Sequence, residues 1–144
     1  MEAQSNSQSS YGEIAKQIWF NAAVISKNLD NSLGAIHGIG LTEYMVLLHL
    51  MKAQNHALRR IDIADALART ASGVTRLLVP MERIGLVEKE TNQRDARVSL
   101  VKITPAGEEL FQNATLTVNE KSACILKNLA PKQAKTLLDL LNLL

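Results

Sequence analysis

The most informative part of the sequence is residues 61–105, IDIADALARTASGVTRLLVPMERIGLVEKETNQRDARVSLVKITP. Within residues 61–68, apolar side chains recur at the i, i+3, i+4, i+7 spacing of an amphipathic helix. Thr70 follows as an N-cap candidate for a second helix over about residues 71–84, and Gly85 stands where a C′ glycine would end it. The stretch therefore predicts two short helices joined by a tight turn.

A β-hairpin is predicted directly after these helices. Residues 86–90 and 97–103 carry β-branched and alternating side chains on either side of a polar tip, residues 91–96. Helix, turn, helix, hairpin is the order of a winged helix-turn-helix. In that fold the second helix enters the DNA major groove, and the hairpin, or wing, reaches phosphates or the minor groove. The predicted fold class is mostly α with a small β-hairpin wing, flanked by a helical dimerisation region.

Apolar stripes predict further helices on both sides of this module. Residues 11–37 form one long amphipathic pattern, and a second helix is expected to begin with Thr42 as its N-cap. After the hairpin, Thr104 and Pro105 suit the N-cap and N1 positions of a helix that runs to about residue 129. Pro131 begins a last helix.

The domain organisation follows from these patterns. Residues 1–10 are rich in Ser, Gln and Asn, and we expect them to form a disordered tail. Residues 11–144 are expected to form one domain. Within it, residues 41–104 are the DNA-binding module, and residues 11–37 and 105–144 are the dimerisation helices.

The last helix predicts a homodimer. Its leucines cover too much of the helix circumference for one small domain to bury: Leu137, Leu138, Leu140, Leu141, Leu143 and Leu144. Burial of each leucine is worth roughly 1.5 to 3 kcal/mol, so several together exceed the cost of association. A second copy of the chain is the expected cover. A two-fold dimer would present two reading helices, which predicts a palindromic site with half-sites roughly 34 to 36 Å apart.

Three motifs give the chain a family resemblance. They are Gly85-Leu86-Val87, Arg94-Asp95-Ala96-Arg97, and the run LVKITPAG over residues 100–107. In this order they resemble the glycine-leucine-valine strand, aspartate-arginine wing and threonine-proline-x-glycine helix start of the MarR family (multiple-antibiotic-resistance regulators). The resemblance spans about residues 41–110. It implies a bacterial winged-helix repressor that acts as a homodimer on double-stranded DNA.

The resemblance also implies which residues of the second helix meet DNA. Ser72, Gly73, Thr75 and Arg76 fall on base-proximal positions, and Thr70 lies at the helix N-terminus, where backbone N–H groups favour a phosphate. Arg76 can read a guanine bidentately or hold a phosphate, and the phosphate role is favoured. Gly73 departs from the serine or threonine usual in the family. It permits close backbone approach but removes a base-reading side chain.

In the wing, Arg94 and Arg97 flank Asp95. The resemblance implies that the wing arginine enters or lines the minor groove, and that the aspartate braces it through a charge-assisted pair. An exposed Arg–Asp pair on a hairpin tip otherwise adds little stability. We therefore interpret the pattern as functional.

Two regulatory sites are considered. The family commonly senses small aromatic acids between the dimerisation helices and the reading module, where Trp19, His37, Tyr44 and His49 would lie. A small phenolic or amphipathic anion is the expected effector, although core packing explains Trp19 and Tyr44 equally well. Some members sense oxidants through cysteine. For Cys124, at the margin of an apolar stripe, a buried small hydrophobe is the preferred interpretation over a redox sensor.

Composition limits the alternatives. The net charge is only +2, but residues 59–102 hold nine Lys or Arg against six Asp or Glu, so the positive excess lies on the predicted DNA-binding module. The single cysteine and the lack of an apolar run near the roughly 20 residues of a membrane span predict a soluble, cytoplasmic protein. No enzyme, nucleotide or metal-ligand motif is present, so no catalysis, cofactor or metal is predicted. A winged helix that binds a protein instead of DNA remains the alternative.

Overall fold

The elements follow one another in the predicted order. The computed structural model describes the backbone of residues 2–144 and the side chains of residues 7–144. Over these residues the elements are α1 (Glu2–His37), α2 (Leu41–Lys52), a 3₁₀ turn (Gln54–His56), β1 (Ala57–Arg59), α3 (Arg60–Ala66), α4 (Ala71–Arg83), β2 (Val87–Thr91), β3 (Ser99–Ile103), α5 (Pro105–Ile125) and α6 (Pro131–Leu141). The predicted fold class, mostly helical with a small β wing, is confirmed.

The wing contains a third strand that the sequence did not predict. The strand order is β1-β3-β2, and both pairings are antiparallel. In β1, Ala57 pairs with Lys102 and Arg59 with Leu100. Three residues are too few to show a period-two pattern, so this segment looked like a connector. Its pairing ties the α2–α3 connection to the wing.

The core lies between the helices and one face of this sheet. α2 contributes Val46, Leu47 and Leu50, all fully buried. α4 contributes Val74, Leu78 and Met81, three apolar residues that recur at helical spacing in the sequence. α4 is therefore anchored along one side and exposed on the other.

The junction between the wing and α5 is tightly packed. Thr104 caps α5, because its Oγ1 accepts a hydrogen bond from the N–H of Gly107 at 3.1 Å. The same hydroxyl donates to the carbonyl of Gly85 at 2.6 Å, and the N–H of Thr104 donates to the carbonyl of Leu86 at 3.1 Å. A Cβ at Gly107 would lie 2.2 Å from that Leu86 oxygen. The threonine-proline-x-glycine motif thus fixes α5 against the start of the wing.

Several predicted boundaries were wrong. Residues 7–10 of the expected disordered tail are helical, and residues 1–6 lie outside the side chains that the structure describes. The N-cap of α2 is Gly40 and not Thr42, since Glu43 Oε2 accepts the N–H of Gly40 at 3.1 Å and Asp30 Oδ1 accepts that of Leu41 at 2.6 Å. Glu43 of α2 itself and Asp30 of α1 therefore cap the helix in place of Thr42. The fifth helix also ends at residue 125 instead of 129.

Apolar surface is left uncovered at both ends of the chain. α6 has no buried residue, and its C-terminal leucines are exposed, including Leu138 at 59%. The first half of α1 similarly exposes Tyr11, Ile14 and Trp19. Over the described residues of a single chain, these two apolar surfaces remain exposed to solvent.

A helix that spans a bilayer must be both long and apolar. Across the described residues no single helix is long and apolar enough, while α1 from Ser7 together with α2 meets the measure only as a pair bent by 81°.

Candidate nucleic-acid interface

The first turn of α4 is capped as predicted. Thr70 Oγ1 accepts a hydrogen bond from the N–H of Gly73 at 3.1 Å and lies 3.3 Å from the hydroxyl of Ser72. The remaining N–H groups of a first turn have no partner within the helix, and the helix dipole makes this end electropositive. The N-terminus of α4 is therefore suited to a phosphate.

The predicted base-proximal residues divide into two groups. Ser72 and Arg76 are exposed and lie one turn apart on the outer face of α4. Thr75 is half-buried; its Oγ1 donates to the carbonyl of Ala71 at 3.1 Å and accepts from Arg60 Nη1 at 3.4 Å. The Thr75 hydroxyl is thus already bonded within the protein, whereas Ser72 and Arg76 face solvent.

The unusual Gly73 has a local explanation. A Cβ at this position would lie 3.1 Å from Thr70 Oγ1, which is tighter than an ordinary contact. A larger residue would press on the oxygen that caps the helix. Glycine leaves the cap undisturbed and brings the backbone of the first turn to the surface.

Two turns shape the tip of the wing. Asp95 Oδ1 accepts a hydrogen bond from the N–H of Arg97 at 3.0 Å and lies 3.4 Å from its Nε. Asn92 Oδ1 accepts the N–H of Arg94 at 2.9 Å in the same way. Asp95 therefore braces the arginine as predicted, while Arg97 itself is 94% exposed. Asn92 was not singled out from the sequence, although asparagine before a turn is a usual signal.

The structure also shows which neighbouring arginines are already paired. Arg59 donates from Nε and Nη2 to the two oxygens of Asp62, both at 2.9 Å. This hydrogen bond, together with the attraction between the charges, lowers the pKa of the Asp62 carboxyl and raises the pKa of Arg59. Arg69, just before α4, donates to Thr42 Oγ1 at 3.3 Å. Neither arginine was included in the predicted interface.

Two of the four predicted ligand residues, His37 and Tyr44, contact α5, but the four do not form one cluster. Tyr44 is 6% exposed, its ring stacks on Phe111 with centroids 5.3 Å apart, and its hydroxyl lies 3.0 Å from Thr115 Oγ1. His37 Nε2 lies 2.7 Å from Thr117 Oγ1. His49 is half-buried on α2. Tyr44 therefore serves in core packing, which was the alternative interpretation from the sequence.

Trp19 and Cys124 require corrections. Trp19 is 73% exposed, and it precedes His37 by 18 residues, or about 27 Å at 1.5 Å per helical residue. The structure does not bring it to the other predicted ligand residues. Cys124 was expected to be buried, but it is exposed near the end of α5. Among the described residues no group of three His, Cys, Asp or Glu could hold a metal ion.

The sequence is similar to those of known transcriptional regulators. A sequence model of the MarR family matches residues 37–98. The HTH-type transcriptional regulator PrsX of Escherichia coli is 33% identical over 89 residues, covering 62% of this chain and 53% of PrsX. The transcriptional repressor MprA of E. coli K12 is 26% identical over 82 residues, covering 57% of this chain and 47% of MprA. The chain spans about half the length of these curated relatives.

Comparison with solved structures gives the same fold. BldR from Sulfolobus solfataricus has a TM-score of 0.84 at 20% identity, covering 92% of each chain. A cysteine mutant of MarR from E. coli, complexed with operator DNA, has a TM-score of 0.80 at 23% identity and covers 90% of this chain and 91% of its own. At these identities the likeness establishes the fold.

Proposed function

We propose that the chain is a MarR-family winged-helix protein and acts as a homodimeric transcriptional regulator on double-stranded DNA. Each protomer would place the first turn of α4 in the major groove and the tip of the wing against phosphates or the minor groove. The relatives are named as transcriptional regulators, so the proposal is one of binding and not of catalysis.

One observation carries the DNA-binding proposal. At the wing tip, Asp95 holds both the backbone N–H and the Nε of Arg97, yet the side chain of Arg97 is 94% exposed. Such an exposed pair contributes little to stability. A positioned, solvated guanidinium is suited to a phosphate, because charge-assisted hydrogen bonds to phosphate are strong and binding releases counterions.

The homodimer is supported by the uncovered apolar surfaces. α6 buries none of its residues in its own chain, and residues 7–24 in the first part of α1 are all exposed. Burying several such leucines would supply roughly 1.5 to 3 kcal/mol each. A two-fold arrangement of these helices would set the two reading helices at a fixed separation, which suits a palindromic operator.

Selection of bound duplexes from a random pool would test both parts together. The expected result is a pair of inverted half-sites about one helical turn, roughly 10 base pairs, apart. Retardation of the selected duplex should weaken steeply with salt, since several phosphates are neutralised. Failure of every duplex to bind in dilute buffer would overturn the DNA-binding proposal and favour the alternative, a winged helix that binds protein. If solution scattering found only single chains, the homodimer proposal would be overturned.

We also propose a repressor that responds to a small phenolic or aromatic anion. The supporting observation is that His37 and Tyr44 hydrogen-bond to threonines of α5, so that a ligand near them would act where dimerisation helices meet the reading module. If the ligand binds more tightly at one separation of the two reading helices than at another, its binding changes the affinity of the protein for DNA. A mobility-shift panel of phenolics, dyes and antibiotics should find one that releases the operator; no release by any compound contradicts this part.

The thiol of Cys124 is exposed, and this accessibility is the one observation that supports the redox alternative. Treatment with hydrogen peroxide should leave operator affinity unchanged if the ligand-responsive proposal is right. A loss of affinity that the Cys124→Ser variant abolishes would favour the redox alternative. The proposed place of action is the cytoplasm, where the operator DNA lies.

A further inference from the structure

A polar groove lies on the face of the sheet that points away from the core. In β3, Val101 and Ile103 are buried in the core that also holds the apolar side of α4. The alternate residues Leu100 and Lys102 face the opposite way and form the floor of the groove. The groove has a volume of about 630 Å³, within the roughly 300 to 1,000 Å³ usual for small-molecule sites.

The walls of the groove come from two different parts of the fold. Gln54 and Asn55 of the 3₁₀ turn form one wall, and Asn92, Gln93 and Arg94 of the wing tip form the other. Four of these five side chains are amides, each of which offers both donors and acceptors, and the fifth, Arg94, is a planar donor. The lining is thus matched to a ligand with many hydroxyl groups.

The charges of the groove favour an anion. Lys102 Nζ lies 3.4 Å from Glu90 Oε1, so these two groups largely neutralise each other. Arg94 remains exposed, and only its backbone N–H is bonded to Asn92. A guanidinium binds a carboxylate or phosphate bidentately. Glu90 can meanwhile accept hydrogen bonds from hydroxyl groups.

We propose that this groove binds a small hydroxyl-rich anion of the sugar-acid or sugar-phosphate class. Arg94 would hold the acidic group, and the amides of both walls would bind the hydroxyls. This site is separate from the His37 and Tyr44 region, because those residues contact α5 on the core side of the sheet. The ligand would bridge the 3₁₀ turn and the wing.

The wall formed by the 3₁₀ turn is anchored on α5 as well as on the base of the wing. Asn55 and His56 both have positive φ, 57° and 55°, a conformation that non-glycine residues adopt rarely and that recurs at ligand-binding sites. His56 Nδ1 lies 3.4 Å from Glu108 Oε1 of α5. A ligand across the groove would therefore tie the wing tip to a fixed point. This regulatory consequence rests on the proposed function, since it makes ligand and DNA compete for Arg94.

Titration calorimetry and amide NMR shifts test the site with named probes. We expect gluconate and glucose 6-phosphate to shift the amides of residues 54–57 and 91–94, and glucose and inorganic phosphate to bind roughly tenfold more weakly because each lacks one half of the chemistry. The absence of shifts at these residues with either acidic sugar at millimolar concentration would overturn the proposal.

The two wing arginines provide a matched pair of variants. Arg94→Gln should weaken binding of the acidic sugars roughly tenfold or more, whereas Arg97→Gln, outside the groove, should leave it within twofold. Equal effects of both variants would contradict a site in the groove.

Duplex binding separates this proposal from the proposed function. If the wild-type protein binds the acidic sugars but no duplex, the groove stands and the proposed function fails. If it binds duplex while no probe shifts the groove, the groove proposal alone fails. A third outcome, in which duplex and not the sugars protects residues 54–57, would assign the groove to the DNA backbone and also overturn the small-molecule site.

Discussion

Replacing Gly107 by alanine should destabilise the joint between the wing and α5. The new Cβ would lie 2.2 Å from the carbonyl oxygen of Leu86, and ordinary contact begins at 3.4 Å, so the two elements would have to separate by 1.2 Å. The obstructing atom belongs to the backbone, which cannot rotate away as a side chain can. The same Cβ would also lie 2.8 Å from Ile103 Cγ1.

The expected cost follows from these contacts. Overpacking a core typically costs about 1 to 3 kcal/mol, and a clash with backbone belongs at the upper end. Alanine gains about 0.5 to 1 kcal/mol over glycine within a helix, which offsets part of this. We therefore expect Gly107→Ala to lower the free energy of unfolding by about 2 kcal/mol, a large part of the roughly 5 to 15 kcal/mol of a typical domain.

Urea unfolding followed by circular dichroism measures the effect, with all variants at the same protomer concentration. Gly34→Ala is the matched control, because Gly34 also lies in a helix but a Cβ there meets nothing within 4 Å. That variant should unfold at the same or a higher urea concentration. If Gly107→Ala unfolds at the wild-type midpoint, the close approach described here does not constrain the joint, and the reasoning is refuted.

Three further predictions concern the wing, the Arg59–Asp62 pair at the start of α3, and the last helix. Arg97→Ala should abolish operator retardation at moderate salt while light scattering still finds a dimer, because the side chain is solvated in the free protein; unchanged affinity would refute the wing assignment. Asp62 has a lowered pKa in the folded state, so its ionised form stabilises the fold above about pH 4, and this contribution is lost as the pH falls through the lowered pKa. Asp62→Asn should therefore flatten the acid limb of thermal stability slightly, since solvent screens the pair, and an unchanged limb would contradict the pairing with Arg59. Leu138→Glu should yield single chains in scattering and weaken operator binding, because a charge would replace an apolar contact in the proposed interface; a fully dimeric variant would argue that α6 is not part of it.

The sequence predicted those parts of the fold whose causes are local. Thr70, Gly85 and Thr104 act within a few residues of themselves, as caps or as a left-handed turn, and all three lie where expected. The apolar spacing of α4 correctly identified its buried side. Such signals need no knowledge of the tertiary structure.

Features that depend on distant residues were missed. β1 exists because it pairs with β3, and its three residues carry no pattern of their own. The N-terminus of α2 is capped by Asp30, eleven residues earlier, and for that reason the prediction of Thr42 as its N-cap was wrong. Trp19 and Cys124 are exposed in the single chain, although core packing or a ligand pocket was expected for Trp19 and burial for Cys124, because helical spacing does not show what packs against a face. Within the candidate interface, Thr75 is bonded to Arg60 of another helix, which no spacing rule reveals.

The contact at Gly107 leaves the wing no hinge of its own. With the Leu86 carbonyl against the first turn of α5, and Thr104 bonded to both sides of the junction, tilting the wing alone would open packed surface. Any reorientation of α5 in the proposed dimer must therefore move the wing together with α5 as one rigid body. The proposed effector would then change the direction in which an intact module points, and hydrogen exchange at β2 and β3 should be as slow with the effector as without it.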